Sequence, residues 1–190
     1  MAKIVLYNNL KDIDDEKLSA IYHENKIDYP KFFKMDLWAK TGFLLAETLM
    51  IYAQLIVDIY KENTSVIFFT NQGSLETDIK FEQTIADPNN RFPSPSLFVY
   101  TLPNIITGDI AIRQGFMGET SCYIAEKFMP KQIENIVNDV LDHSENVLVA
   151  WLDTINGRPA GIIFLVMRKG TVRMMNFNAE NLQYIYNKTF

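Results

Sequence analysis

Few residues in this chain suit covalent chemistry. There is one cysteine, Cys122, with Ser121 before it, and there are two histidines, His23 and His143. A thiol or hydroxyl becomes a nucleophile when a base, a cation or a helix N-terminus lowers its pKa. Cys122 lies in GETSCYIAE, whose alternation is that of a strand, and the histidine nearest in sequence, His143, is separated from it by a helical stretch. Cys122 therefore reads as a small buried hydrophobe. A hydrolase or acyltransferase using Cys122 or Ser121 requires the fold to bring His143 beside them. His23 sits in the polar run YHENK, and His143 stands near a helix end, where the negative pole of the dipole favours its charged form. Neither has a partner at metal-ligand spacing, so no metal site is expected. The single glycine of TNQGS is far from a phosphate-binding loop, and no cofactor is expected. Carboxylates cluster at Asp12, Asp14, Asp15 and Glu16, the pattern of a solvated helix start.

The elements that must position these groups alternate along the chain. Short β-rich runs predict strands at 3–9, 65–71, 119–125, 147–153 and 160–168. A short surface helix is expected in EKLSAIYHENK. The strongest helix signal runs from Met35 to Lys61, with Leu44, Leu45, Leu49, Ala53, Ile56 and Ile59 at three- and four-residue steps. SLETDIKFEQTI predicts a helix capped by Ser74. The proline-rich 86–104 predicts mostly irregular chain, and ITGDIAIRQG a helix stopping near Gly115. PKQIENIVNDVLDHS is amphipathic, with Pro130 near its start. The Asn-Gly pair at 156–157 is a hairpin signal, Gly170 marks a further turn, and Asn178 caps a last helix, NAENLQYIYNK. This order predicts a five-stranded mixed sheet between helical layers in a single domain over 1–190.

Composition sets the outer bounds. Of 190 residues, 48% are apolar and 22% charged, ordinary for a globular domain with a sizeable core. A net charge of −5 gives no basic field for nucleic acid. The apolar stretch from Gly42 is broken by Glu47, Gln54 and Asp58, so it reads as a buried helix and no membrane partner is expected. With one cysteine, no internal disulfide and no signal-peptide pattern, a cytoplasmic protein is expected.

Several stretches resemble β-ketoacyl-ACP synthases of the thiolase-like superfamily. KMDLWAKTGFLLAE, with Lys34, Met35 and Asp36, is similar to the opening of that family's long helix, and SVIFFTNQGSLETD to a buried strand and its glycine turn. In PSPSLFVYTLPNIITGDIAIRQGFMGET, the residues Pro103, Asn104, Gly108, Ile112, Gly115 and Gly118 fall in register with the family segment; GRPAGIIFLVMRK resembles a later strand. The resemblance implies an N-terminal thiolase-like half. It implies the nucleophilic cysteine about nine residues after Gly118, where this chain has Lys127 between Glu126 and Phe128, while Cys122 comes too early. The family's two catalytic histidines belong to a C-terminal half, which this chain is expected to end before. The resemblance thus implies a chain-length-factor-like subunit without catalytic residues. Such a subunit pairs with itself or with an active ketosynthase, with an acyl carrier protein as a further partner, in fatty-acid-like, polyketide or aryl-polyene/flexirubin-type biosynthesis. Phe98, Tyr100, Leu102, Pro103, Asn104 and Tyr123 are then candidates for the interface or the acyl pocket, and 119–125 for the strand that pairs across it. A homodimeric scaffold with no acyl ligand remains the non-enzymatic alternative.

Overall fold

Two chain segments, 64–70 and 146–152, are buried along their whole length, and each contains an unbroken apolar run, 66–69 and 147–152. Only strands covered on both faces explain that pattern. In the computed structural model, which describes residues 1–86, 88–89, 93–169 and 174–190, they form the centre of the sheet.

The described residues form β1 (Lys3–Leu10), α1 (Asp15–Glu24), α2 (Leu37–Ala53), β2 (Thr64–Thr70), α3 (Leu75–Ala86), α4 (Pro95–Val99), α5 (Ile105–Gln114), β3 (Thr120–Ile124), α6 (Pro130–Leu141), β4 (Asn146–Ile155), β5 (Arg158–Met167), β6 (Met175–Asn176) and α7 (Ala179–Thr189). The sheet order is β3-β2-β4-β5-β1-β6. β2 runs parallel to β3 and β4, and the remaining neighbours are antiparallel. Side chains alternate between two cores. Val66, Phe68, Leu148, Ala150, Leu152, Ile163 and Leu165 face the layer of α1, α2 and α5. Ile67, Phe69, Val147, Val149, Trp151, Ile162 and Phe164 face α6 and α7.

The expected strands are present, with a sixth added: Met175–Asn176 pairs with Lys3 and Ile4. It is two residues long, too short for alternation to reveal it. The expected helix over 35–61 is corrected to Leu37–Ala53. Asp36 caps it by accepting from the Ala39 N–H at 2.7 Å. It stops because the N–H groups of Ile56 and Val57 both return to the Ala53 carbonyl, so Val57 and Ile59 turn back onto the core. Periodicity ran on through a turn that happens to repeat the helical spacing. Within 86–104, expected to be mostly irregular, Pro95 opens the five-residue α4 with Ser94 as its cap. Proline at the first helical position costs no hydrogen bond, so it starts a helix as readily as it breaks one. Ser74 precedes α3 as expected, but its hydroxyl donates to the Thr101 carbonyl at 2.6 Å instead of accepting from the helix. α6 ends at Leu141, three residues before the end of the expected stretch. The turn expected at Gly170 lies outside the described residues.

Two turns behave as their residues require. Asn156 and Gly157 both have positive φ, 53° and 74°, the geometry of a two-residue turn that closes β4 onto β5 with Ile155 opposite Arg158. Gly115 ends α5 in the left-handed region at φ 73°.

Gly118 serves close approach. A Cβ there would stand 2.5 Å from the Thr64 carbonyl oxygen and 2.6 Å from Ser65 Oγ, inside the start of β2. Gly118→Ala is expected to lower stability by roughly 1–3 kcal/mol, because backbone cannot yield as a flexible side chain does. A denaturation midpoint equal to that of the parent protein would show that the approach is looser.

Candidate functional site

Cys122 occupies the centre of β3, opposite Phe68 of β2, and is half-buried against the α2 and α5 core. With no cation or helix N-terminus beside it, burial alone acts on the thiol and pushes it up to about 11. Ser121 and Tyr123 point to the other face. The Tyr123 ring stacks on Phe69 at 5.2 Å, and Ser121 donates to Glu119 Oε1 at 2.6 Å. His143 stands 3.5 Å from the other oxygen of Glu119. The three groups line up, but the carboxylate lies in the middle. A base must touch the nucleophile and be held by the acid, and here the order is reversed. Among the described residues, His143 makes no hydrogen bond to Cys122 or Ser121.

Lys127 and Glu126 are exposed in the connection from β3 to α6. Phe128 beside them is buried; it stacks on Tyr186 at 4.1 Å and meets Trp151 edge-on, while Tyr186 also packs on Phe190. α6 begins only at Pro130, behind a Met129 cap without a side-chain bond. Aromatic rings from β4 and α7 thus fill the space beside this connection. Asp153, at the end of β4, is raised by burial, while the backbone amides of Thr154, Gln72 and Asn71 act the other way.

The six residues expected at an interface or pocket separate. Phe98, Leu102 and Asn104 are exposed on α4 and the turn into α5, and Pro103 is half-buried. Tyr100 points inward and is buried in the core. Its phenol is raised, by burial first and then by the carboxylate of Asp109. Asp109 is itself buried and held by Lys31 at 2.5 Å. The Lys31–Asp109 pair thus ties α5 to the chain before α2, and Tyr100, taken as an interface or acyl-pocket candidate, lies buried in the core.

Sequence reasoning overlooked a polar cluster where α2 and α3 begin. Asp36 Oδ1 caps α2, and Oδ2 accepts from the Thr77 hydroxyl of α3. Burial raises the Asp36 carboxyl, while the bonds from Thr77 and the Ala39 N–H pull it back. Beside it is a cavity of about 20 Å³ bordered by Trp38, Gln72, Gly73, Ser74, Thr77 and Thr154, room for a single water. The indole N–H of Trp38 is buried with no partner among the described residues. The available signal was Asp36 itself, a helix-capping residue directly before the apolar run.

No protein-family profile matches the chain, and no curated protein matches it. Solved structures match it in fold. The ishigamide ketosynthase/chain length factor superposes with a TM-score of 0.67 at 14% identity, over 91% of this chain and 63% of that one. A ketosynthase (ApeO) in complex with its chain length factor (ApeC) from Xenorhabdus doucetiae gives 0.66 at 11%, over 99% of this chain and 91% of that one. A type II PKS acyl-carrier protein in complex with its ketosynthase bound to the hexaketide gives 0.61 at 11%, over 87% and 62%. The chain spans less than two thirds of the first and third of these and nearly all of the second. Its fold is that of the ketosynthase/chain-length-factor structures, a thiolase-like half.

The geometry around Cys122 has a direct chemical consequence. A shift from 9.0 to about 11 leaves about a hundredfold less thiolate at pH 8 than an ordinary cysteine has. Intact-mass kinetics with iodoacetamide should give slow modification, accelerating with pH up to about 11. Rapid stoichiometric labelling at pH 7 would overturn this view of the thiol.

Proposed function

We propose that this chain is a chain-length-factor-like subunit without ketosynthase chemistry, which docks on an active ketosynthase and helps to wall its acyl or polyketide pocket. The observation that carries the reading is an apolar surface along the β3 side of the molecule, beside a nucleophile-equivalent position that holds Lys127. Ile124 on β3 is 67% exposed, Ile112 on α5 78% and Phe98 on α4 54%; Leu75, Ile79, Ile85, Val99, Leu102 and Met117 are exposed as well. Exposed apolar residues also occur at the end of α2, at Tyr52, Leu55, Ile56 and Tyr60, and what sets the first group apart is its place beside the unpaired edge of β3.

The two sheet edges differ in a way that supports this side. At the far edge the two-residue β6 covers only Lys3 and Ile4 of β1; beyond it β1 carries a bulge between Ile4 and Leu6, and the Asn9 N–H is taken by the Asn8 side chain. Such devices blunt an edge against pairing. β3 bonds to β2 on one side, and among the described residues no strand pairs with its other side. Strand addition at β3 would bring Ile124, Phe98 and Leu102 into the interface, with Pro103 and Asn104 at its margin. Tyr100 and Tyr123 would act from behind it.

The missing chemistry is argued from the same region. A nucleophile at the β3–α6 connection needs a helix N-terminus and backbone N–H groups turned toward the reacting carbonyl. Glu126, Lys127 and Phe128 offer no thiol, and Phe128 is committed to the aromatic stack. Cys122 is no substitute, with its raised pKa and no base within reach. Among the described residues no helix is long and apolar enough to cross a membrane. A cytoplasmic location and an acyl carrier protein as a further partner belong to this reading. The bare β3 edge equally suits a second copy of the chain, so a homodimeric scaffold is the second reading.

Co-expression with candidate ketosynthases, followed by light scattering at matched concentration, tests the reading. A one-to-one complex is expected, weakened at least about tenfold by Ile124→Glu or Phe98→Asp, since a carboxylate buried without a partner is costly. Both positions are exposed, so the variants should keep the fold of the free chain. A protein that self-associates through the same residues and ignores every ketosynthase supports the scaffold. One that stays monomeric in all mixtures refutes both.

A further inference from the structure

α3 is an unusual helix for its size. It has twelve residues, yet Thr77 is its one buried residue among the described residues. Leu75, Ile79 and Ile85 are exposed, and its main neighbour is the short α4, through Phe81 and Phe98 at 5.4 Å. α3 and α4 therefore project from the body with little apolar burial to hold them. Helices in proteins owe most of their stability and attitude to such burial, so something else must fix this pair.

We propose that the hydrogen bond between Thr77 and Asp36 is the joint that fixes the α3–α4 projection on the body, with Asp36 and Thr77 as positioning residues. The Thr77 hydroxyl donates to Asp36 Oδ2, and Asp36 Oδ1 is held by the Ala39 N–H. One carboxylate thus caps the buried α2 and at the same time holds the exposed α3. Thr77 is 3% exposed and the neighbouring cavity has room for a single water, so solvent competes poorly for the bond. A charge-assisted bond in such a setting is stronger than one on the surface. Two lesser ties lie at the root of the projection: Ser74 Oγ to the Thr101 carbonyl, and the Gly73 N–H to Thr70 Oγ1 at 2.9 Å. Both precede the helix and leave its direction free. Thr77, within the first turn of α3, determines it. The consequence for docking rests on the proposed function, because Phe98 and its neighbours ride on this pair; the joint itself does not.

Hydrogen–deuterium exchange on the free protein tests the joint without any partner. Thr77→Val keeps the shape and removes the hydroxyl; Thr77→Ser keeps the hydroxyl. In Thr77→Val the amides of 75–86 should exchange about tenfold faster, while those of α2, β2 and β4 are unchanged, and Thr77→Ser should restore the parent rates. Unchanged α3 rates in Thr77→Val would overturn the proposal. So would acceleration spread equally over α2 and β2, or a Thr77→Ser protein that behaves like Thr77→Val. If the exchange result holds and no complex with a ketosynthase or a second copy forms, the joint stands and only the docking function fails.

Discussion

The rest of this structure depends on the burial of α2. Every residue from Trp38 to Met50 is buried, so the helix has no solvent face on which to keep its polar groups. Thr41 bonds back to the Leu37 carbonyl of α2 itself, while three others find partners on different neighbours. Lys40 reaches Asp15 of α1, Thr48 accepts from Asn8 of β1, and Glu47 binds Arg113 and Gln114 of α5. Asp36, at the cap, reaches α3. An unpaired charge in this position would cost several kcal/mol, in order of magnitude, so each partner is held where α2 needs it. The apolar residues between supply most of the burial energy, and the polar ones specify the arrangement. Gly42 serves the same end, since a Cβ there would stand 2.8 Å from Leu152 and 3.0 Å from Phe68, and its absence lets α2 lie close on the sheet.

With that centre fixed, the molecule divides into two sides. Around β1 the polar side chains blunt the edge, and Lys3 bonds Asn176 to close the short β6. Around β3, apolar residues remain in water, on a short strand and a loosely packed helix pair. The difference is one of commitment. The centre of the sheet is paired on both sides, while β3 has one backbone edge without a partner strand among the described residues.

The connection from β3 to α6 is fixed at both ends. Asn71 ties the connection by donating to the Glu126 carbonyl at 2.8 Å. Phe128 turns inward and with Trp151, Tyr186 and Phe190 makes an aromatic core beside the connection. Packing density here favours rigidity over access.

The sequence by itself determined the class of fold and most of its elements. Apolar continuity identified the buried strands, and Asn156-Gly157 and Gly115 located two chain reversals, because their backbone conformations are nearly residue-specific. The resemblance to ketosynthases was also legible, in the spacing of Pro103, Asn104, Gly108, Gly115 and Gly118. It is the fold, not the chemistry, that such residues encode. Only the tertiary structure decided where α2 ends, that Pro95 opens a helix, and that Tyr100 points inward to Asp109. It alone put Glu119 between Ser121 and His143, and brought Thr77 onto Asp36. All of these depend on partners distant in sequence, and a local pattern fixes the direction of a side chain without fixing what it meets.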